Sequence, residues 1–579
     1  MPEITCPDCL DPEQVIPISR ESTAVFKTGS WSSVRPQFSE KISPCRAACP
    51  LGNNISAALR AAANGDFDAA LAAFLEETPL PGICGRVCYH PCQDDCNRKE
   101  TDGELQIRAL ERAASDYGRA APQLLTDAGR NSPVAVVGSG PAGLSCAYHL
   151  ARMGHPVTVY ESAEIPGGLL VRGIPSFRLP EKIVTKELSR IWDLGVTLKT
   201  GTTIDPAGLK KLLQVHRAVF LAPGADAHQP LKVPGELLAG VVPGIDFLRS
   251  TALQQKAKGI NVAVVGGGNS AMDAARTALR AGAIRVTVLY RRTLNEMPAF
   301  ADEVKEAEAE GIRFKTLVAP MAFLGKERVK AVRLMPMKMS AIEEEGRLRP
   351  IPSEKEPIEL ACDMAVIAAG QQPAGLFMDG LFRWRSGRVE VDDWHRTSRP
   401  GLYAGGDASP ARASVVDAMA TGKRAALSIH LASVNRRVHE IESAVTLGKG
   451  PAFSLTAFFH AQERWRPDQV ARPDGITLAM APQHPPQPLP HIDARRAVQT
   501  GEEVARGYST EAAIQEAQRC LVCGTCVGCN RCLVFCPEGA VIPPDDAGGL
   551  YLYRDEYCKG CGLCASVCLR GVMEPGGVE

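Results

Sequence analysis

VAVVGSGPAGLSCAYHLARMGHPVTVYE, residues 134–161, carries the pattern that decides the fold at the centre of this chain. An apolar strand runs into a glycine-rich turn, a helix follows, and a second apolar strand ends in an acid. Gly138 permits the tight turn, Gly140 lets a pyrophosphate approach the backbone, and Gly143 lets helix and strand pack closely. Glu161 stands where an acid accepts hydrogen bonds from a ribose. The stretch predicts a dinucleotide site; a glycine-rich turn that binds nothing is the alternative.

The same arrangement of strand, glycine turn, helix and strand returns over residues 261–292, with GGGNSA as its turn. Two arginines stand where an acid would end the second strand. Because arginine binds a 2′-phosphate that an acid would repel, they favour NADP(H) over NAD(H), although a solvated arginine turn remains the alternative. The predicted residues of this second site are Gly266, Gly268, Asn269, Arg291 and Arg292.

Two different dinucleotide sites, with the second unit inserted in the first, imply FAD together with a nicotinamide nucleotide. The first unit closes at AGGDA, residues 404–408, where Gly406 and Asp407 suit the ribityl or pyrophosphate part of FAD. No constellation for acid–base or nucleophilic catalysis accompanies these motifs. Cofactor chemistry needs none, because the protein mainly positions the rings.

Composition narrows the class of protein. The 579 residues are 45% hydrophobic and 22% charged, with a formal net charge of zero, which argues against nucleic-acid binding. No apolar run is long enough to span a bilayer, and the N-terminus lacks the basic and apolar parts of a secretory signal. The 20 cysteines crowd toward the two ends of the chain. Such crowding indicates metal–sulfur ligation in a reducing compartment, and we expect a cytoplasmic protein.

The C-terminal cysteines form two runs of C-x2-C-x2-C-x3-C, the first followed by Pro537 and the second by Leu569. This is the two-cluster ferredoxin pattern, in which the fourth cysteine of each run ligates the other cluster. Zinc is the competing interpretation, because C-x2-C pairs also bind zinc. The predicted ligands are Cys526, Cys529, Cys532 and Cys568 for one [4Fe–4S] cluster, and Cys558, Cys561, Cys564 and Cys536 for the other.

The N-terminal cysteines flank an alanine-rich stretch with helical periodicity, broken at Asn64-Gly65. Their spacing fits neither a zinc finger nor a ferredoxin repeat, and alone it indicates only an incomplete metal or cluster site. They are Cys45, Cys49, Cys84, Cys88, Cys92 and Cys96.

The predicted fold class is multidomain α/β, with an N-terminal α-helical iron–sulfur domain and two Rossmann-like domains for FAD and NAD(P), the second inserted in the first. A C-terminal ferredoxin-like α+β domain completes it. The predicted divisions are an N-terminal extension over 1–40, the helical iron–sulfur domain over 41–130, the FAD domain over 131–258 and 371–432, the NAD(P) domain over 259–370, a partly proline-rich connector over 433–508, and the ferredoxin domain over 509–579.

Taken in order, the motifs resemble the small subunit of NADPH-dependent glutamate synthase and the matching region of dihydropyrimidine dehydrogenase. The likeness covers about residues 41–432 and includes GRVCYHPCQDDCNR at 85–98 and PGGLLVRGIPSFRLP at 166–180. The resemblance implies two [4Fe–4S] clusters in the helical domain and places Gly168 and Leu169 near the flavin. The ligands it implies are Cys49, Cys88 and Cys92 with a non-cysteine fourth ligand such as Gln106 or Glu111 for one cluster, and Cys45 and Cys96 for the other.

The chain departs from that family just before Cys45, where a further C-x2-C is missing. Two orphan pairs could complete the site: Cys6 with Cys9, or Cys520 with Cys523. The string EAQRCLVCG at 516–524 resembles the missing piece, displaced toward the C-terminus. We therefore expect Cys520 and Cys523 to complete the site, in cis or from a second subunit, and we expect Cys84 to be a packed thiol.

KTGSWSSVRP at 27–36 is similar to the opening of the small ferredoxin-like subunit of 2-oxoacid:ferredoxin oxidoreductases. With the appended ferredoxin domain, this likeness implies an NAD(P)-reducing subunit that works with 2-oxoacid oxidoreductase catalytic subunits. Ferredoxin is a further possible partner.

The sequence as a whole predicts an NAD(P)H-dependent FAD and iron–sulfur oxidoreductase that passes electrons between [4Fe–4S] clusters and NAD(P)(H). Three alternatives stay open: a glutamate synthase small subunit, a stand-alone NAD(P)H:ferredoxin oxidoreductase, and a non-catalytic redox sensor or scaffold. Purified protein without flavin would favour the last of these.

Overall fold

A computed structural model describes residues 27, 29, 32–125, 132–344, 347–373, 380–450, 452–459, 465–544 and 551–577. The alternative ligands Cys6 and Cys9 lie outside the described residues. The predicted multidomain α/β fold class is confirmed: two parallel sheets form the centre, and smaller helical and mixed domains lie at the two ends of the chain.

The first parallel sheet has five strands in the order Leu402–Ala404, Ala218–Leu221, Val134–Val137, Val157–Tyr160 and Thr197–Lys199. The central strand is buried along its whole length, as expected where helices cover both faces of a sheet. The helices of this domain are Pro141–Arg152, Leu169–Arg172, Glu181–Trp192, Pro206–Val215 and Val415–Ser433. The last strand and helix lie beyond residue 400, so the chain leaves this domain and returns to it.

The second parallel sheet also has five strands, in the order Arg313–Lys315, Arg285–Leu289, Asn261–Val265, Met364–Ile367 and Val241–Pro243. Its helices are Gly244–Arg249, Thr251–Gln255, Asn269–Arg280 and Ala301–Ala309. An antiparallel sheet lies beside it, made of Val318–Gly325, Val329–Glu344, Arg347–Pro352 and Ile358–Ala361. Two short ribbons, Ala227–His228 with Gln371–Gln372 and Trp384–Arg385 with Arg388–Val389, complete this region.

The predicted boundary between residues 258 and 259 needs correction. The strand Val241–Pro243 pairs in parallel with Met364–Ile367 and so belongs to the inserted sheet. The strand has only three residues and ends in proline, which leaves too short a pattern to identify from sequence.

The N-terminal helical domain contains Pro44–Ala48, Ile55–Ala63, Phe67–Leu75, Pro81–Val87, Pro91–Asp94 and Ile107–Tyr117. The expected break at Asn64-Gly65 separates the second and third of these helices, and the Asp66 side chain caps the third. A further helix, Thr510–Gln518, joins this domain from far along the chain, because its buried Ala513 and Ala517 enter the same apolar core. The prediction that residues from 509 onward belong only to the ferredoxin domain is therefore wrong.

The ferredoxin domain is split between the two ends of the chain. Val34–Phe38 pairs antiparallel with Met573–Gly577, and the Gly29 N–H donates to the Glu556 carbonyl at 2.9 Å. Its other elements are the helices Arg531–Val534 and Leu563–Ser566 and the hairpin of Val541–Ile542 with Leu552–Tyr553. The described residues of the expected N-terminal extension are thus part of this domain, because an edge strand finds its ladder partner there.

The predicted connector is folded against its neighbours. It contains the helices Glu442–Val445, Leu455–Phe459 and Ala494–Gln499, and the strand Trp465–Val470 pairs with Glu40–Ile42. Residues 482–490 form no regular element, in keeping with the proline-rich sequence. Among the described helices, none is long and apolar enough to cross a bilayer.

Candidate flavin, nicotinamide and iron–sulfur sites

The first glycine turn has the geometry of a phosphate cradle. Gly138 has a φ of +102°, and a Cβ there would lie 2.2 Å from the Ala222 carbonyl oxygen. A Cβ at Gly143 would lie 2.0 Å from the Gly138 carbonyl oxygen, so helix and strand approach too closely for any side chain. A Cβ at Gly140 would meet nothing within 4 Å. The space above Gly140, at the start of the helix Pro141–Arg152, therefore fits a pyrophosphate.

Glu161 lies at the same edge of the sheet. Its carboxylate accepts hydrogen bonds from the Ser139 N–H at 2.9 Å, the Ser139 hydroxyl at 2.6 Å and the Ala163 N–H at 2.8 Å. Burial opposes ionisation, but these bonds outweigh it, and the pKa of Glu161 lies below its usual value. The group is thus a carboxylate suited to accept ribose hydroxyls. Sequence reasoning missed Ser139, whose hydroxyl also accepts from the Gly167 N–H at 3.0 Å.

Two further loops converge on this turn. Gly168 has a φ of +57°, and a Cβ there would lie 3.0 Å from Gly140 Cα; Leu169 begins the next short helix. Gly406 has a φ of +64°, and its N–H donates to the Thr421 hydroxyl at 2.8 Å. Burial raises the pKa of the adjacent Asp407. The structure therefore brings together all three predicted parts of the FAD site, and the residues present fit that cofactor.

The second glycine turn repeats the first. Gly266 has a φ of +144°, and a Cβ there would lie 2.2 Å from the Ala368 carbonyl oxygen, whereas Gly268 faces open space. Asn269 accepts a hydrogen bond from the Phe300 N–H at 3.0 Å, which fixes the loop opposite. Because the nucleotide-facing glycine is open and the turn is held, these residues fit a dinucleotide.

The two predicted arginines separate in the structure. Arg291 is exposed, whereas Arg292 is buried and donates from Nε to the Leu348 carbonyl at 3.0 Å. Only Arg291 is therefore placed to meet a phosphate that arrives from solvent, and Arg292 holds the neighbouring antiparallel sheet.

A buried ion-pair group joins the two dinucleotide domains, and sequence reasoning did not find it. Arg178, in the PGGL…SFRLP segment, donates from Nη1 to both Asp273 oxygens at 2.9 Å, and its Nε lies 2.7 Å from Glu303. Burial raises the pKa of Asp273 to about 6 against the pull of Arg178. The group links the flavin loop to the helix that follows the second glycine turn.

In the helical domain, Cys49, Cys88 and Cys92 lie around Glu111, and we call this group the buried cysteine site. All four side chains are at most 8% exposed. Burial and the Glu111 charge raise the pKa of Cys88, and Glu111 Oε1 has no hydrogen-bond partner within the described residues. Burial also raises the pKa of Glu111 well above its usual value. A buried carboxyl oxygen that has no hydrogen-bond partner among the described residues, and lies near three thiols, makes Glu111 the better placed of the two suggested fourth ligands.

The other residues suggested for this region are placed differently. Gln106 occupies the N-cap position of the helix Ile107–Tyr117 without a capping hydrogen bond from its side chain, and its backbone N–H donates to Glu516 at 3.0 Å. Cys84 is also buried, and burial and Glu111 raise the pKa of its thiol. Cys84 thus lies beside the site, and that it is only a packed thiol stays a prediction.

Cys45, Cys96, Cys520 and Cys523 line a single cavity, and we call this group the composite cysteine site. Burial, followed by the charges of neighbouring Cys520 and Cys96, raises the pKa of Cys523 to about 12. Cys520 and Cys523, which are more than 400 residues from Cys96 in the sequence, therefore lie beside Cys45 and Cys96 within one chain.

The C-terminal cysteines form two groups with exchanged fourth members. Burial and the charges of Cys568, Cys529, Cys526 and Cys564 raise the pKa of Cys532 to about 12, with Cys568 the largest of the four charges. Cys536 lines a second cavity together with Cys558, Cys561 and Cys564. Every described cysteine is a free thiol, and among the described residues no three His, Cys, Asp or Glu side chains are grouped for a single metal ion. The exchange agrees with the spacing rule for two-cluster ferredoxins.

Residues 132–422, half of the chain, match the family model of pyridine nucleotide-disulphide oxidoreductases. The chain belongs to this family. Residues 39–122 match dihydropyrimidine dehydrogenase domain II, a 4Fe-4S cluster domain, and residues 525–572 match a 4Fe-4S dicluster domain. The predicted FAD, NADP and [4Fe–4S] cofactors and the oxidoreductase class are thereby confirmed. Cys520 and Cys523 fall outside all three matched regions.

Curated relatives extend the likeness along the chain. NADP(+)-dependent formate dehydrogenase subunit beta of Moorella thermoacetica is 39% identical over 67% of this chain and 59% of its own length. NADPH-Fe(3+) oxidoreductase subunit beta of Geobacter sulfurreducens is 33% identical over 87% of this chain and 79% of its own length. The glutamate synthase [NADPH] small chain of Azospirillum brasilense is 33% identical over 67% of this chain and 85% of its own length. The resemblance to the glutamate synthase small subunit is confirmed, and the chain spans about three fifths of the Moorella relative.

Proposed function

We propose that this pyridine nucleotide-disulphide oxidoreductase converts between two-electron and one-electron transfer as a subunit of a multi-subunit enzyme. When bound, FAD exchanges two electrons with NADP(H) and single electrons with [4Fe–4S] clusters, whose potentials their surroundings tune. The relatives named beta subunit and small chain support a role within a complex. We expect the protein to act in a reducing compartment such as the cytoplasm, where free thiols persist.

The observation that carries this proposal is the direct packing of the flavin domain against the buried cysteine site. Tyr89, next to Cys88, donates to Asp417 at 3.5 Å, and the Arg412 guanidinium lies 3.9 Å from the Tyr89 ring centroid. Asp417 lies on the helix Val415–Ser433, which follows the AGGDA loop of the flavin site. The predicted flavin and cluster sites are therefore neighbours across one interface.

We further propose that the partner is the catalytic part of a 2-oxoacid oxidoreductase. The described residues of the KTGSWSSVRP segment, 27–36, lie on the ferredoxin domain: Lys27 pairs with Glu556 at 2.8 Å, and Arg35 pairs with Asp555. The segment that resembles the opening of the ferredoxin-like subunit of those enzymes therefore packs on the domain that carries the two-cluster motif. The Moorella relative favours a second candidate, a formate dehydrogenase catalytic subunit.

Native affinity purification of the full chain distinguishes these partners. We expect the purified complex to reduce NADP⁺ with a 2-oxoacid and coenzyme A and to be inactive with formate. Activity with formate alone would replace the first partner by the second. A chain that purifies alone and reduces ferredoxin rapidly would instead favour a stand-alone oxidoreductase.

Arg291→Glu tests the nicotinamide assignment. Loss of a charge-assisted bond to a phosphate, about 1.5–3 kcal/mol, is expected to raise the KM for NADPH about 10- to 100-fold. The KM for NADH should change little, because NADH has no 2′-phosphate. Arg285→Glu is the matched control, since Arg285 is also exposed but begins the strand Arg285–Leu289, whereas Arg291 follows the other end of that strand. An equal rise in both KM values would refute phosphate recognition by Arg291.

A further inference from the structure

The segment 519–526 lies between two domains and is held firmly by both. Arg519 donates from Nε to the His484 carbonyl at 2.8 Å and from Nη2 to the Gly103 carbonyl at 2.7 Å, and it pairs with Asp102. Arg98, beside Cys96 and Asn97, pairs with the same Asp102 carboxylate at 2.7 Å. Because Asp102 pairs with both Arg98 and Arg519, it holds the segment of Cys520 and Cys523 next to the segment that carries Cys96.

We propose that the composite cysteine site holds one [4Fe–4S] cluster, with ligands Cys45, Cys96, Cys520 and Cys523, and that this cluster joins the helical domain to the ferredoxin domain. The inference rests on the proposed electron-transfer function. It assigns a ligand role to Cys520 and Cys523, two residues that lie outside every matched family region.

The surroundings of the four thiols suit a cluster. Three arginines, Arg98, Arg519 and Arg570, are at most 4% exposed, and their charges favour the thiolate forms of Cys96 and Cys520. Asp102 and Glu516 pair with Arg98 and Arg519 and balance part of this charge. Asn97 donates from Nδ2 to Cys523 Sγ at 3.5 Å and to the Ala471 carbonyl at 2.8 Å. Hydrogen bonds to ligand sulfur and nearby charge are the means by which a protein holds and tunes such a group.

The composite site touches the buried cysteine site on one side. The Cys49 N–H donates to the Cys45 carbonyl at 3.2 Å, so these two ligands lie one helical turn apart while serving different sites. On the other side, only Gly524 and Thr525 separate Cys523 from Cys526 of the ferredoxin domain. Three residues of extended chain span at most about 11 Å, which bounds the distance between the two Cα atoms.

Gly524 holds this bridge in place. Its N–H donates to the Arg570 carbonyl at 2.7 Å, and its carbonyl accepts from the Lys41 N–H at 2.8 Å. Its φ is +82°, and a Cβ there would lie 2.4 Å from the Lys41 carbonyl oxygen. The segment between Cys523 and Cys526 is thus hydrogen-bonded on one side to the strand Glu40–Ile42 and on the other to Arg570.

The number of electrons balances if they pass between the flavin site and the ferredoxin domain through the composite cysteine site. Oxidation of one NADPH to NADP⁺ and a proton releases two electrons, which leave as two single transfers. The two clusters of the ferredoxin domain, one of which Cys526 would ligate, would accept one electron each, so no further reactant is needed to balance one turnover.

Cys520→Ala/Cys523→Ala in the full chain tests the assignment. We expect iron and acid-labile sulfide each to fall by about four atoms per chain, with FAD content and NADPH-dependent flavin bleaching unchanged. After full reduction with dithionite and addition of NADP⁺, the EPR signals of the ferredoxin clusters should persist in the variant and disappear in the unaltered chain. Cys146→Ala/Cys362→Ala, two buried thiols outside the sites, is the matched control and should lose no iron.

Unchanged iron in the double variant, or ferredoxin clusters that NADP⁺ still oxidises at the unaltered rate, would overturn the assignment. If the double variant does not retain FAD and so has not folded, Cys45→Ala decides in its place, because it removes a ligand of the same site from the other end of the chain. Full iron content in that variant would also overturn the assignment. If NADPH does not bleach flavin even in the unaltered chain, the proposed function fails, while the iron counts still judge the site.

Discussion

Gly138→Ala is expected to yield a chain that is purified almost free of FAD. The added methyl group would meet the Ala222 carbonyl at 2.2 Å, and alanine is strained at a φ of +102°. A penalty of about 3 kcal/mol would weaken FAD retention about 100-fold. The measurement is the ratio of flavin to protein after gel filtration, followed by titration with FAD.

Gly259→Ala separates this steric effect from backbone strain alone. Gly259 has a φ of +74°, but a Cβ there would meet nothing within 4 Å, and the residue lies away from the glycine turns. We expect this control to keep its FAD with only a small loss of stability. Normal FAD content in Gly138→Ala would contradict the placement of the pyrophosphate at the first turn.

Lys423→Met is expected to destabilise the junction of the helical, flavin and connector segments by about 3–5 kcal/mol, because it leaves a charge buried without its partner. Lys423 and Glu77 are both completely buried and form an ion pair at 2.5 Å. The Lys423 ammonium also donates to the carbonyls of Leu51 at 2.6 Å and Phe453 at 2.9 Å. Urea denaturation followed by flavin fluorescence measures the change.

The double variant Glu77→Gln/Lys423→Met is the control for this effect. Burial opposes ionisation of Glu77, but Lys423 and Ser454 outweigh it, and the pKa of Glu77 lies below its usual value. Glutamine keeps an acceptor for the Ser454 hydroxyl and removes the buried charge, so we expect it to recover most of the lost stability. A single variant as stable as the unaltered chain would show that the pair does not hold the junction.

Features that depend on residues close together in sequence were predictable. The roles of Gly138, Gly140 and Gly143 follow from one turn of six residues, and the structure gives each the space or closeness that its role requires. The fixed spacing within each run also predicts that Cys536 and Cys568 exchange places, and the structure places Cys536 beside Cys558, Cys561 and Cys564.

Features that depend on distant pairings were not predictable. Val34–Phe38 could not be matched to Met573–Gly577, because a short edge strand carries no pattern that names its partner. For the same reason, the sequence did not show that Val241–Pro243 belongs to the second parallel sheet. The ion pairs Arg178–Asp273 and Lys423–Glu77 could not be predicted either, because charged residues are usually expected at the surface and only tertiary packing buries these four. Cys520 and Cys523 could be proposed as ligands only because the C-x2-C pair that the resemblance leads one to expect before Cys45 is missing there.

The most direct test of the account is to count the electrons that the intact chain delivers to NADP⁺. The full chain is reduced completely with dithionite, freed of excess reductant and mixed anaerobically with excess NADP⁺. With two electrons from FAD and one from each of four clusters, we predict about three NADPH per chain and loss of all cluster EPR signals. About one NADPH per chain, with the clusters still reduced, would contradict the claim that flavin and clusters form one connected path.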